Sequence, residues 1–317
     1  MPEGDTVWLA GKNLDAALAG QALTLSDFRV PQLAAVDLVG RTVTAVVSRG
    51  KHLLTRFDHG LTLHTHFRMD GSWHLYRPGD PWRGGPDWQV RVVLGTAVRR
   101  AVGYRLPVID LLPTTAEHTV VGHLGPDLLG PDWDLGEAVD RLRAAPARAV
   151  GAALLDQRNL AGLGNLYRTE ALFLSGVNPW SPVGEVAALE RLVERGRTLM
   201  DVNKERALQV TTGDTRRGRW HWAYERSTCL RCGGRISTAL QDSDGSLVAA
   251  PGTRRRPAPP PGRGDGSPRT TDTHGAGQGR ERLAYWCPAC QPGPSPTSTP
   301  VRALLGAPTI GRTRYAP

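Results

Sequence analysis

Four cysteines constrain the fold of this chain more than any other feature of its sequence. They form two Cys-x-x-Cys pairs, Cys229 with Cys232 and Cys287 with Cys290, and 54 residues (233–286) separate the pairs. Two such pairs are typical of a zinc ribbon, in which four thiolates hold one metal ion tetrahedrally. The alternative is four unrelated reduced thiols. The sequence therefore predicts one structural Zn2+ bound by these cysteines, within a module spanning residues 227–291.

The composition of the long gap explains its length. Residues 241–279 are rich in Pro, Gly, Arg, Ser and Asp and contain almost no large apolar side chains. Such a segment buries too little apolar surface to offset the entropy lost on ordering. We therefore expect a disordered insertion at 241–279 and, for the same reason, a disordered tail at 292–317.

The charge balance indicates an anionic partner. The chain has 39 Lys and Arg against 30 Asp and Glu, which gives a net charge of +9 and a pI of about 9.9. Nucleic acid and an acidic membrane surface both suit such a chain. No apolar run of membrane-spanning length and no signal-peptide pattern are present. We therefore expect a soluble cytoplasmic protein, where paired cysteines favour metal ligation over disulfides.

Two contrasting patterns divide the rest of the chain. After a helical pattern at 2–19, short segments rich in Val, Leu and Thr are punctuated by glycines, at 42–47, 52–57, 61–66, 90–94 and 104–109. They predict an antiparallel β-sandwich or barrel with a leading helix over residues 1–110. A connector follows at 111–130. A helical domain is then expected at 131–226, with helices at 133–144, 147–157, 165–175 and 184–206. The fold class is α+β and multidomain.

The first residues of the chain combine an amine with a carboxylate. Pro2 permits removal of Met1, which would leave a free secondary amine. An α-amino group has a reference pKa of about 7.7–8.0, against about 10.4 for lysine, so more of it is neutral and nucleophilic at pH 7. We expect Asp5 or Thr6 to cap the helix, whose positive end favours the Glu3 carboxylate. An amine beside a proton-transfer group suits Schiff-base chemistry; the alternative is an ordinary helix start.

Two loops carry further candidate groups. Lys51, in the Arg-Gly-Lys loop, is one of only three lysines among 39 basic residues, which suggests a role that arginine cannot fill. Its alternative is a solvated surface lysine. The turn at 157–165 bends at two glycines and opens the next helix, with Asn165 as the expected N-cap. Such a turn directs backbone N–H groups to one place and suits a phosphate, although purely structural turns of this form are more common.

Four motifs occur in one fixed order: Pro-Glu-Gly at the N-terminus, Arg-Gly-Lys, Leu-Ala-Gly-Leu-Gly-Asn-Leu-Tyr, and Tyr-Trp-Cys-Pro-Ala-Cys-Gln at the second cysteine pair. Together they resemble the formamidopyrimidine-DNA glycosylase/endonuclease VIII family of base-excision repair enzymes, in its endonuclease VIII-like branch. The resemblance runs from Pro2 to about Gln291, without the insertion. It implies a β-sandwich, a helix–two-turn–helix domain and a zinc finger that clasp damaged or abasic duplex DNA. We expect a monomeric, nucleoid-associated enzyme that has no membrane contact.

The resemblance implies a bifunctional DNA glycosylase and abasic-site lyase. Pro2 would attack C1′ of the damaged nucleoside, expel the base and form an iminium link to the sugar, and Glu3 matches the proton donor of that step. Lys51 matches the lysine that contacts phosphate and assists β-elimination. Arg282, with Arg280 as a rival, matches the arginine that grips the phosphate and assists δ-elimination.

The same resemblance implies which residues bind DNA. Asn165 matches the asparagine that binds the phosphates flanking the lesion. Met69 is the candidate wedge that fills the gap left by a flipped base, since an unbranched apolar side chain can insert between bases. Its alternative is a core residue at a strand end. Arg68 would contact the orphaned partner base or the backbone, and His123 falls near a basic DNA-contacting position of the family.

Two departures from the family pattern bear on the substrate. Thr6 stands where many relatives carry a glutamate that takes part in proton transfer to the sugar ring, so the elimination rate or end product is expected to differ. Residues 207–228 lack the long glycine-rich loop that caps oxidised guanine in the formamidopyrimidine branch. This favours oxidised pyrimidines, or abasic sites alone, as substrates. The competing hypotheses are a non-catalytic zinc-ribbon protein that binds damaged or bent DNA, and a transcription-type zinc ribbon with a basic arm.

Overall fold

A computed structural model describes residues 2–242, 281–294 and 296 of the chain. Within these residues lie an N-terminal helix, two four-stranded sheets, a group of helices and a two-stranded hairpin. Most of the insertion expected at 241–279, the rival Arg280 and nearly all of the expected tail fall outside the described residues.

The leading helix, α1 (Gly4–Leu18), buries one apolar face on the first strand of a sheet. Val7, Leu14 and Leu18 are each at most 2 % exposed and join the core of the N-terminal half. The N-cap is Glu3, and it makes no side-chain capping bond. The expectation that Asp5 or Thr6 caps the helix is therefore wrong, because both lie inside its first turn.

The N-terminal half is a β-sandwich, as the short apolar segments predict. One antiparallel sheet has the order β2–β3–β4–β8 and the other the order β1–β6–β7–β5. The strands are β1 (Leu25–Phe28), β2 (Val43–Arg49), β3 (His52–Phe57), β4 (Leu61–His66), β5 (Ser72–Tyr76), β6 (Val90–Gly95), β7 (Arg100–Tyr104) and β8 (Val108–Pro113). Apolar side chains from both sheets and from α1 fill the space between them.

One predicted strand is wrong. The sequence favours a single strand at 104–109, but Tyr104 ends β7 and Val108 begins β8. Arg105, between them, has a φ of 49°, in the left-handed region that breaks a strand. The chain turns there and crosses from one sheet to the other.

The helical half contains the four predicted helices, each shorter than or equal to its predicted length. Asp134 caps the first of them, since its Oδ1 accepts a bond of 2.9 Å from the backbone N–H of Glu137. An apolar core of Leu, Val and Ala side chains lies between them. The helices are α2 (His118–Val121), in the connector, and α3 (Leu135–Arg143), α4 (Val150–Leu155), α5 (Asn165–Ser175) and α6 (Leu189–Asn203).

A hairpin of β9 (Ser237–Asp242) and β10 (Glu281–Trp286) follows the helices and carries the cysteine pairs at its base. Strand β9 includes Gln241 and Asp242, so the prediction of disorder is wrong for these two residues. The reason is that Gln241 is buried and its Nε2 donates to the backbone oxygen of Pro179 at 2.9 Å. Over the described ranges, every helix falls short of the length and apolar character that crossing a membrane requires.

Candidate active site and metal centre

The N-terminus is anchored in the turn between α4 and α5, about 160 residues away in sequence. Glu3 is fully buried. Its Oε2 accepts a hydrogen bond from the N–H of Gly164, and its Oε1 accepts one from the N–H of Leu166, both at 2.8 Å. The N–H of Gly4 donates to the oxygen of Gly162 at 2.9 Å. The turn that the sequence suggests for phosphate therefore uses part of its backbone to hold a carboxylate.

Lys51 lies against the same turn. Its Nζ donates to the backbone oxygen of Leu163 at 2.6 Å. Burial lowers the pKa of Lys51 to about 8, aided by the positive charge of Arg282 and opposed by the Glu3 carboxylate. Burial raises the pKa of Glu3 to about 7, although Lys51 and the two backbone donors oppose that change. Both groups can therefore exchange protons near neutral pH, as general acid–base catalysis requires.

Two aspartates, one in the connector and one just after it, hold the loop that carries Lys51 in place. The N–H of Gly50 donates to Oδ2 of Asp127 at 2.7 Å, and Arg49 pairs with Asp132 at 2.5 Å. Gly50 has a φ of 57°, and a Cβ at this position would lie 3.0 Å from that of Ala161, so glycine is required on both counts. Asp127 is a positioning residue that sequence reasoning placed in the connector without a role.

A second buried carboxylate lies beside the site. Asp5 is 2 % exposed, and its Oδ2 accepts from the hydroxyl of Tyr167 at 2.6 Å. Gln209 donates to both of its oxygens, at 2.9 and 3.0 Å. Thr6, the departure from the family pattern, donates from its hydroxyl to Asp5 at 3.4 Å. Asp5 therefore links the first turn of α1 to α5 and to Gln209, whereas the sequence predicted that it would cap the helix.

Asn165 and the hairpin strand β10 are joined by hydrogen bonds. Asn165 is the first residue of α5, and the N-cap is Gly164, so the predicted cap is wrong by one position. The side-chain amide of Asn165 donates to the backbone oxygen of Leu283 at 3.0 Å. Arg168, 1 % exposed, donates to Oδ1 of Asn165 at 2.5 Å and to Gln241 at 3.0 Å. Burial lowers the pKa of Arg168 to about 10.

The remaining predicted residues lie on the surface. Arg282 follows directly on the start of β10 and is exposed, yet its charge lowers the pKa of Lys51, which places it near the site. Met69 is 53 % exposed, so its alternative as a core residue is wrong. Arg68 is exposed beside it with a φ of 52°. His123 is exposed on the connector, and Pro2 is partly buried.

The structure brings four of the predicted residues together at one turn and places two more on a neighbouring loop. Hydrogen bonds and charge effects link Glu3, Lys51, Asn165 and Arg282 around one turn. Arg68 and Met69 lie on the loop between β4 and β5.

The four cysteines form one cluster at the base of the hairpin. Their Sγ atoms all lie within 4.8 Å of one another, with 3.9 Å between Cys229 and Cys290 and 3.5 Å between Cys232 and Cys287. Ligands at about 2.3 Å from a tetrahedral zinc ion stand about 3.8 Å apart, so these separations fit the thiolate set. The alternative of four unrelated thiols is wrong, because the fold gathers all four at one point.

Two family models match this chain. The formamidopyrimidine-DNA glycosylase N-terminal domain covers residues 1–105, and the helix–two-turn–helix domain of the same glycosylase covers residues 124–202. Together these ranges include more than half of the chain.

Relatives match over almost the whole length. The chain is 53% identical over 300 residues to the probable endonuclease 8 2 of Streptomyces coelicolor, covering 93% of this chain and 96% of that protein. It is 40% identical over 294 residues to the DNA-(apurinic or apyrimidinic site) lyase Nei2 of Mycolicibacterium smegmatis, covering 92% and 99%.

Among solved structures, the fold is similar to that of the formamidopyrimidine-DNA glycosylase of Lactococcus lactis bound to DNA containing an abasic site. The TM-score is 0.65 at 18% identity, over 92% of this chain and all of the other. The family models, the relatives and the fold agree with the order of the four sequence motifs. The chain therefore belongs to the formamidopyrimidine-DNA glycosylase/endonuclease VIII family of DNA glycosylases and abasic-site lyases, and its relatives place it in the endonuclease VIII-like branch.

Proposed function

We propose that this protein excises oxidised bases from duplex DNA and nicks the resulting abasic site through a Schiff base on Pro2. The observation that carries the proposal is the buried carboxylate of Glu3, which adjoins Pro2 in the chain and shares one turn with Lys51. Burial disfavours the charged form of a carboxyl group, and here it raises the pKa of Glu3 to about 7, a value typical of a catalytic acid. A protonated Glu3 is then available as an acid at neutral pH.

The chemistry follows from these groups. The nitrogen of Pro2 forms a bond to C1′ of the damaged nucleoside as the bond from C1′ to the base breaks, and the departing base takes up the proton that the Pro2 nitrogen loses. Glu3 then gives its proton to O4′ as the C1′–O4′ bond breaks, which leaves an iminium between Pro2 and C1′. The iminium that results draws electrons from C2′, so loss of the C2′ proton expels the 3′ phosphate in β-elimination. Lys51 holds phosphate and assists this step, and Arg282 assists loss of the 5′ phosphate in δ-elimination. The iminium is released by water, which restores Pro2.

DNA binding is assigned to residues around the site. Arg68, Arg282 and His123 present exposed basic groups, and the buried Asn165 keeps one amide hydrogen for a flanking phosphate while the other bonds Leu283. Met69 is the apolar wedge, because its exposed side chain has no core to fill. Extruding a base costs a few kcal/mol of unstacking, which such a wedge offsets.

The proposal extends to the preferred lesion, the identity of the metal ion and the oligomeric state. The absence of a long glycine-rich loop at 207–228 supports oxidised pyrimidines or abasic sites as substrates. We also propose that the ion held by the cysteines is zinc, since four thiolates with this separation suit it. The protein is taken to act as a monomer in the cytoplasm, associated with the nucleoid.

Covalent trapping tests the proposal directly. The protein is incubated with an abasic-site duplex and sodium borohydride, which reduces an iminium to a stable amine. We expect a denaturation-resistant complex whose DNA-linked peptide begins at Pro2, and we expect Pro2→Gly to trap poorly. DNA binding without any trapped complex would favour the non-catalytic alternative. Trapping by protein that retains Met1 would exclude Pro2 as the nucleophile.

Lys51→Arg separates phosphate binding from proton transfer. Arginine keeps the positive charge but cannot release its proton in a protein. We expect duplex affinity within about threefold of wild type and a nicking rate lower by at least about tenfold, measured in single-turnover assays. Lys12→Arg, which changes an exposed lysine paired with Glu205, is the matched control. Equal losses of affinity and rate would contradict a proton-transfer role for Lys51.

A further inference from the structure

Four histidines gather beside Lys51, and three of them have no part in the chemistry proposed so far. His52 opens β3, and β4 carries His64 and, directly opposite His52, His66. The ring of His52 stacks on His64 with 5.1 Å between centroids and meets the edges of His66 at 4.8 Å and of His123 at 6.1 Å. We call these four residues the histidine cluster.

A hydrogen-bonded chain fixes the tautomers within the cluster. Nδ1 of His64 lies 3.1 Å from Oδ2 of Asp110, on β8, and the two form an ion pair when the ring is charged. A carboxylate only accepts, so Nδ1 of His64 carries the hydrogen and Nε2 of the neutral ring accepts. Nδ1 of His52 lies 2.8 Å from that Nε2 and must donate to it. The neutral His52 ring therefore keeps its free lone pair on Nε2.

The surroundings of His52 are basic on the other sides. His64 and His66 face it from β4, Arg68 from the loop after β4 and His123 from the connector, while Lys51 precedes it and acts on His66. Asp110 reaches the cluster from β8 through His64. Burial, and then these basic neighbours, hold the pKa of His52 far below its ordinary value, and the same causes lower that of His66 to about 3. Both rings are thus neutral in the free protein.

We propose that His52 is a proton-coupled phosphate site: it takes up one proton on Nε2 as DNA docks, and the imidazolium then binds a backbone phosphate. The proposal rests on the DNA interface of the proposed function, because Lys51, Arg68 and His123 border the cluster there. The His64–Asp110 chain positions the ring. The proton comes from solvent, and no other bond in the chain has to change.

The hydrogen bonds from His52 through His64 to Asp110 already run in the donor-to-acceptor direction that a positively charged His52 requires. His52 donates from Nδ1 to His64, and His64 donates to Asp110, so a positive charge on His52 strengthens both bonds without moving a hydrogen. The half-exposed Asp110 carboxylate supplies the compensating charge. A phosphate on the Nε2 side would supply a negative charge among the basic neighbours of His52. His52 therefore adds a charge only when DNA is present, unlike Lys51 and Arg68.

The test is the pH dependence of binding to a duplex that carries a non-cleavable abasic-site analogue, at constant ionic strength. A single linked proton weakens affinity by up to about tenfold per pH unit as pH rises. We expect a several-fold loss per unit between about pH 5 and about pH 6.5 for the wild type, a range in which Lys51 stays charged and Glu3 stays mostly protonated. Calorimetry in buffers of different ionisation enthalpy should show the same proton being taken up.

Three variants assign that proton. His52→Gln keeps a side chain that can donate to His64 but cannot be charged, and it should remove the linked proton and flatten the pH dependence. Asp110→Asn should move the dependence to lower pH by about one unit, because the charged ring loses its distant anion. His59→Asn is the matched control at the far turn of the same hairpin, where the φ of 58° tolerates asparagine. It should behave as wild type.

Two results would overturn the proposal: a His52→Gln protein with the same proton uptake as wild type, or a wild type that takes up none. Circular dichroism of each variant shows that it is folded, and slackened packing alone would not remove a proton from the binding equilibrium. Borohydride trapping of the wild type is scored separately. Trapping without proton linkage refutes the role of His52 alone, and failure to trap refutes the proposed function.

Discussion

At the scale of single residues, the site depends on two groups whose pKa values burial shifts in opposite directions. The pKa of Glu3 rises to about 7 and that of Lys51 falls to about 8. A carboxylic acid and an amine in ordinary water would differ by about six units. The fold brings them to within about one unit, so either group can hold or release a proton at the pH at which the other does.

Glu3→Gln tests the acid role. We expect base excision to slow by about 10²–10⁴-fold. In the wild type, excision should fall as pH rises through about 7, because Glu3 loses its proton there. Glu3→Gln should lack this decline. Single-turnover excision from a duplex with an oxidised pyrimidine measures both effects. The exposed Glu205→Gln is the control, and a decline that persists in Glu3→Gln would mean that another group is the acid.

At the scale of elements, the buried Arg168 connects α5 to both strands of the hairpin. It donates to Gln241 on β9 and, at 3.2 Å, to the oxygen of Leu283 on β10. These bonds fix the backbone beside Arg282, whose charge acts on Lys51. The hairpin is therefore positioned by a charged side chain of α5, in addition to the cysteine cluster at its base.

Arg168→Met tests how much this connection contributes to stability and to nicking. Methionine fills similar space but removes the donor to Oε1 of Gln241 and Oδ1 of Asn165, which costs about 2–3 kcal/mol, while the oxygen of Leu283 keeps its bond from Asn165. We expect lower stability in urea unfolding and a slower nicking rate, because Arg282 is no longer held in place. Arg195→Met, at an exposed position of α6, should change neither. Wild-type nicking by a destabilised Arg168→Met would show that Arg282 is positioned by other contacts.

Metal removal tests the base of the same hairpin. Only two small apolar clusters pack on the hairpin within the described residues, so we expect a metal bound by the cysteines to supply much of the local folding free energy. We expect one zinc per chain by atomic spectroscopy. Chelation should unfold the hairpin and abolish cleavage, while the sandwich signal in circular dichroism persists. Full activity of metal-free protein would contradict this expectation.

At the scale of the whole molecule, the two halves of the chain meet at a pair of glycines. A Cβ on Gly4 would lie 2.9 Å from Cα of Gly162, so larger side chains would push the N-terminus out of the turn. The N-terminus of one half is therefore seated in the other, so a nucleophile at Pro2, as proposed, would bring DNA into contact with both. The net charge of +9 over the whole chain suits a bound polyanion.

Salt should weaken duplex binding by an amount that reports the number of phosphates the protein neutralises. Each neutralised phosphate contributes a slope of about −0.9 to the plot of log affinity against log salt. With Lys51, Arg68 and Arg282 as contacts, we expect a slope near −3 and a loss of a few tens-fold from about 50 to about 200 mM salt. Each alanine substitution should reduce the slope by about one. Lys204→Ala should leave it unchanged, and a salt-independent affinity would refute the interface.

Reasoning from the sequence succeeded where a signal is local. Strands β3 and β4 follow from short segments rich in Leu and Thr between glycines, and the helix α5 follows from its helical period. It failed where the signal depends on distant partners. Asp5 has the composition of a helix cap, but Tyr167 and Gln209 draw its side chain away. Gln241 resembles its polar neighbours, yet Arg168 holds it in a strand.

The sequence alone determined the chemistry that is available: an imino terminus with an adjacent carboxylate, one lysine among many arginines, and four thiols in two pairs. It also determined the family, because four motifs in fixed order survive without their three-dimensional context. Only the tertiary structure decided how these groups are tuned, since burial raises the pKa of Glu3 and lowers that of Lys51, and backbone partners more than 100 residues away hold both in place. Residue type sets what a side chain can do, and the surroundings set the pH at which it does so.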